Sequence, residues 1–115
     1  MRSPAASPTA PRAAMLERWA ALTREVLPDM AVAHLWPIRL DHCFMRVCLD
    51  AAVDAPWPTV VARPAVRHLS DEQLARAVAV AESIVADPGR IHALNERSIG
   101  MRRAARSGQG GTFLR

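Results

Sequence analysis

Apolar residues recur along the chain at intervals of three and four, and four stretches keep that rhythm long enough to predict α-helices. In the first, residues 13–27, Met15, Trp19, Leu22 and Val26 share one face with Leu16 and Leu27 beside them. Glu17, Arg18, Arg24 and Glu25 take the other side. Pro28 is expected to end this helix, because proline lacks the amide donor and its ring collides with the preceding turn. In the second, residues 42–54, Phe44, Val47, Cys48 and Ala51 make one stripe, and Met45, Leu49 and Ala52 make a neighbouring one. The combined face is wider than a surface helix needs, which predicts the most buried helix of the domain. Asp41 is expected as its N-cap, and Asp54-Ala55-Pro56-Trp57-Pro58 as its close. Arg46 and Asp50 are four apart and are expected to pair across the remaining polar strip.

The third helix has the clearest start. Ser70-Asp71-Glu72-Gln73 reads as a capping box, and Leu69 and Leu74 supply the hydrophobic staple around it. Leu74, Val78, Ala81 and Val85, with Ala77 and Ile84 beside them, carry the helix over 71–86. Asp87-Pro88-Gly89 breaks it. Asp87 as N-cap and Pro88 at the first helical position open a fourth helix, 90–106, with Ile91, Leu94, Ser98 and Met101 on its buried face. Arg102, Arg103 and Arg106 in its last turn suit the negative end of the helix dipole.

Between these helices the pattern loses its period. Met30, Val32, His34 and Trp36 alternate with Ala31, Ala33 and Leu35, but both sets are largely apolar, so a short strand and an extended connection fit equally. Thr59-Val60-Val61-Ala62, set among Pro56, Pro58 and Pro64, is a second strand candidate. The two together would form a two-stranded ribbon, marginal by itself. Residues 1–12 hold three prolines and no large apolar residue after Met1, which predicts a disordered tail. Residues 107–115 open with Ser107-Gly108-Gln109-Gly110-Gly111 and predict a flexible one. The expectation is an all-α fold: one domain over 13–106, a small bundle of about four helices between unstructured ends.

Composition narrows this picture. At 115 residues the chain is one domain, half of it hydrophobic and only 4% aromatic, so its core is built from small aliphatic side chains. No run of about 18 apolar residues is present, so no membrane partner is expected. Two cysteines without a secretory h-region predict free thiols in a reducing, cytoplasmic setting. All 15 lysine-or-arginine positions are arginine, a bias typical of a GC-rich genome. Residues 90–115 hold six of them against Glu96, a net +5, whereas residues 16–89 are net −3. The basicity belongs to one end.

Several constellations have the residue types for chemistry. His34, His42, Cys43, Cys48, His68 and His92 could ligate a metal, but Cys43 and Cys48 are five apart on a helix, roughly 140° around it. They neither chelate one ion as a local pair nor bridge each other, so no metal and no cofactor are expected. Cys43, near a helix N-terminus, is the candidate nucleophile, since the end of a helix favours a thiolate. His42 is its neighbour in sequence and points away from it on a helix, so a base would have to come from His34 or His68; Cys43, His42 and His68 keep a small Cys-dependent or transferase enzyme open as a reading. The pair 71–86 and 90–106 resembles a helix-turn-helix, and Arg90, Asn95, Arg97, Arg102, Arg103 and Arg106 are the types that contact phosphates and base edges. Against this stand a first helix longer than such motifs use and an arginine cluster at the wrong end to read bases. Trp36 and Trp57, each beside proline, either line a groove for a partner or plug the ends of a small helical core.

Trp36-Pro37-x-Arg39-x-Asp41-His42-Cys43-Phe44-x-Arg46, Pro56-Trp57, Pro64-Ala65-x-Arg67-His68-Leu69 and Leu94-Asn95-x-Arg97-Ser98 resemble a group of small bacterial proteins, some of them named as N-acetyltransferases. The resemblance spans roughly residues 15–103. It implies an acetyl-CoA loop, Gln/Arg-x-x-Gly-x-Gly/Ala, between a strand and a helix. The nearest match is Ala105-Arg106-Ser107-Gly108-Gln109-Gly110, with alanine first and five residues after it, too few for the helix. The residues themselves favour a small helical binding or adaptor module for a protein partner or for itself. Nucleic-acid binding is the alternative.

Overall fold

A computed structural model describes the backbone of residues 9–113 and the side chains of residues 11–107. The fold is all-α, with no strand among the described residues. The first helical segment is α1, Thr9–Ala21, followed by a π-helical turn, Leu22–Val26, and α2, Leu27–His34. Helix α3, Asp41–Val53, leads through a 3-10 turn, Trp57–Thr59, to the short α4, Ala65–His68. Then come α5, Asp71–Ala86, and α6, Arg90–Phe113. Helix α3 packs on α5, α6, α2 and the π turn, and so occupies the centre of the bundle.

Pro28 does not end the first helix. In a regular α-helix it would leave the Arg24 carbonyl without a donor and press its ring against that group. The π turn removes the conflict: Leu27 donates its amide to Leu22 O, five residues back, and Pro28 falls in the first turn of α2. Thr23, fully buried here, donates its hydroxyl to Trp19 O at 2.9 Å. Trp19, Leu22, Leu27 and Ala31 reach the core from these three segments.

The ribbon is not formed. Ala31 is buried while Val32, Ala33 and His34 are exposed, a helical and not a two-residue period. Leu35 closes α2 in the left-handed region at φ 56°, and both its amide and that of Trp36 bond Ala31 O. This is the hydrogen bonding of a helix C-terminal cap, with the buried Trp36 as its apolar anchor. Residues 59–62 begin in the 3-10 turn and continue as loop.

Helix α3 starts at Asp41, with Leu40 as N-cap. Asp41 still serves the first turn: its carboxylate accepts from the His42 amide at 2.7 Å. Phe44, Val47, Cys48, Leu49 and Ala52 are buried as the wide apolar face requires. In α5 the capping box is complete, with Gln73 N donating to Ser70 Oγ at 3.0 Å and Ser70 N to Gln73 Oε1 at 2.8 Å. Leu69 and Leu74 are both buried beside it. Ser70→Ala should therefore cost about 1 kcal/mol. An unchanged urea midpoint would show that the box adds nothing.

The expected ends are displaced. Helix α1 takes in Thr9–Arg12, part of the stretch whose prolines predict a disordered tail, and residues 1–8 lie outside the described residues. Arg12 holds that start in place by donating to Asp71 Oδ1 at 2.7 Å and Val66 O at 2.9 Å. Helix α6 begins at Arg90, whose amide bonds Asp87 O, and continues to Phe113 through the stretch expected to be a flexible tail. Arg102, Arg103 and Arg106 are thus not in its last turn, and a helix-end role is not theirs.

Candidate functional site

The largest departure from the sequence pattern lies between α3 and α6. Asp50, expected on a solvated polar strip, is fully buried. Its carboxylate takes four donors. Arg102 gives a fork, Nε to Oδ2 at 2.8 Å and one terminal nitrogen to Oδ1 at 3.0 Å. Ser98 Oγ donates to Oδ2 at 2.7 Å, and the Trp57 amide donates to Oδ1 at 2.9 Å. Arg46 does not pair directly with Asp50. It donates to Ser98 Oγ at 2.7 Å and to Asn95 Oδ1 at 2.8 Å. Ser98 therefore accepts from one arginine and donates its hydroxyl to the carboxylate that holds another. Contact with the carboxylate raises the Arg102 pKa, mainly through the hydrogen bond, with burial opposing.

This network positions two walls of an open groove of about 570 Å3. Trp19 of α1 and Arg24 of the π turn form one side, and His42, Met45, Arg46 and Leu49 of α3 form the floor. Trp57 and residues 63–66 form the opposite side. The Asp50 bond to the Trp57 amide fixes the chain where the indole stands, and Ser98 and Asn95 fix the guanidinium of Arg46. Arg63 lies 5.0 Å over the Trp57 ring, a cation–π contact that holds a third arginine in the lining beside Arg24 and Arg46. The lining is mostly apolar, its charged members are all arginines, and it includes no carboxylate. A smaller cavity of about 250 Å3 lies beside Pro56, Pro58, Thr59, Arg102, Ala105 and Arg106.

The residues singled out from sequence are dispersed. Trp36 is 3% exposed, stacked on His34 and edge-on to Phe44, so it closes the core and offers no surface to a partner. Trp57 lines the groove. Of the arginine-rich set, Arg90 donates to Ser83 Oγ at 3.1 Å, Arg97 pairs with Asp54, and Arg102 holds Asp50. Asn95 is buried against Arg46. Arg103 and Arg106 project to solvent.

His42 is exposed beside Asp41, and His68 bonds Pro64 O through Nδ1 at 3.1 Å. Among the described residues no group of three or more His, Cys, Asp and Glu could hold a metal ion. Cys43 is half-buried, and Cys48 is buried with its thiol pushed up to about 12 by desolvation. Cys48 should therefore resist a maleimide at pH 8 in the native protein and react on unfolding. Rapid native labelling of Cys48 would show that α3 opens to solvent.

Sequence reasoning missed Arg24, Arg46, Arg63 and Val66 as groove residues and Asp50 as the anchor of the Trp57 amide. One signal was present: Ser98 on a predicted apolar face is a polar group that needs a buried partner. No helix of the described residues is long and apolar enough to cross a membrane. No family model, curated protein or solved structure matches the chain.

Proposed function

We propose that this chain is a binding module whose ligand lies in the groove between α1, α3 and the 57–66 segment. The observation that carries the reading is a half-buried arginine, Arg46, set beside the apolar Met45, Leu49 and Trp57 and fixed there by neutral partners. Apolar walls with a few oriented polar groups are the usual make-up of a small-ligand site, and about 570 Å3 falls within the usual range of roughly 300–1,000 Å3. The nucleic-acid reading has less behind it. Arg97 and Arg102 are engaged with acids of the same chain, and Asn95 faces inward. The transferase and Cys-dependent readings have less to rest on, since among the described residues His42 lies beside Asp41 and His68 bonds Pro64 O.

A screen of small organic compounds, neutral and charged, by amide chemical shifts tests the proposal. Ligands should move the signals of His42, Met45, Arg46, Leu49, Trp57, Arg63, Ala65 and Val66 together. The exposed face of α5, at Ala75, Ala79 and Glu82, should stay still. A screen with no hits, or hits that map to α5, would sink it.

A further inference from the structure

We infer that the occupant of the groove is a small organic anion, a carboxylate with an apolar body, and that Arg46 receives its head group. The inference rests on the groove being the ligand site. Two independent observations point to the charge. First, the lining brings together Arg24, Arg46 and Arg63 with His42 and contains no carboxylate. Second, the buried network beneath it is electrically incomplete. Against Arg46 and Arg102 stands one carboxylate, Asp50, which Arg46 reaches only through Ser98, so the cluster carries a net +1, and Arg102 bonds both oxygens of that acid.

Arg46 is left with neutral partners, a hydroxyl and an amide oxygen. A guanidinium has five N–H donors, and these two bonds use two of them. The remaining three, on a group already oriented, suit the two oxygens of a carboxylate, and charge-assisted bonds of this kind are about twice as strong as neutral ones. The body of such a ligand would lie along Met45, Leu49 and Trp57. Arg24 and Arg63 at the mouth would attract the anion and exclude cations.

Calorimetric titration of the full chain with octanoate, octan-1-ol, octyltrimethylammonium and inorganic phosphate tests this, with the amide signals of the groove followed in parallel. Octanoate should bind at least about tenfold more tightly than octanol, the factor expected when a charge-assisted hydrogen bond of about 1.5–3 kcal/mol is lost. Octyltrimethylammonium and phosphate alone should bind more weakly still. Arg46→Gln should remove the preference for octanoate over octanol. Because Arg46 also braces α6, the exposed pair Arg24→Gln and Arg63→Gln is made separately, and it should weaken octanoate binding by a larger factor than octanol binding. Octanol or the cation binding in the groove as well as octanoate would overturn the anion assignment and leave the groove as a ligand site. Phosphate matching octanoate would overturn the apolar body. If none of the four moves the groove signals, both the occupant and the site fall.

Discussion

Asp50→Ala should destabilise the protein by about 3–5 kcal/mol, the range for breaking a buried ion pair by removing one partner. The substitution leaves the Arg102 fork, the Ser98 hydroxyl and the Trp57 amide without their shared acceptor. It also leaves two guanidiniums, those of Arg46 and Arg102, in a part-buried cluster with no counter-charge. Arg102→Ala should cost less, because that side chain is 29% exposed and Asp50 keeps two donors. Urea unfolding of both single variants and the double variant gives the coupling between them. An Asp50→Ala protein within about 1 kcal/mol of the parent would mean that water reaches the carboxylate site and that the network is not closed. The same variant should lose the groove, since the Trp57 amide would no longer be anchored to α3.

Phe44→Ala should be comparably severe, at about 3–5 kcal/mol. Phe44 is fully buried in α3, and Trp36 meets it edge-on with ring centroids 6.0 Å apart. Removing the ring leaves a cavity at the junction of α2 and α3 that small aliphatic neighbours cannot fill without moving a helix. Typical domains have only about 5–15 kcal/mol in hand, so either variant should show a large fall in thermal midpoint. A loss for Phe44→Ala below about 1 kcal/mol would indicate that the site collapses around the deletion. In that case the small-residue core is more plastic than close packing implies.

The contrast between these two sites explains what could be read from the chain beforehand. Phe44 sits in a local stripe, and its burial follows from neighbours three and four residues away. The α5 start is legible for the same reason, since Ser70, Gln73, Leu69 and Leu74 lie within six residues. Asp50 depends on Ser98 and Arg102, 48 and 52 residues away, and local periodicity places a carboxylate on the solvent side. Pro28 does not stop the helix because the rule against interior proline assumes bonds to the fourth residue back, and the π turn changes that pairing. The groove was hidden because half its wall is the aperiodic segment 57–66, where no repeating pattern marks Arg63 or Val66. The arginine-rich end was conspicuous by count. Its geometry shows three of those arginines serving contacts within the chain.

The π turn has a consequence for how this fold can change length. It holds one residue more than a continuous α-helix would need between Trp19 and Leu27, so it is a stored insertion. Deleting a residue from Thr23–Val26 would let the turn tighten to ordinary helical pairing, but that would place Pro28 where a regular ladder needs a donor. The extra residue and the proline therefore belong together. A shorter version of this domain can be reached only by giving up both, whereas a one-residue deletion within α3 or α5 would rotate every later core side chain by about 100° with no bulge to absorb it.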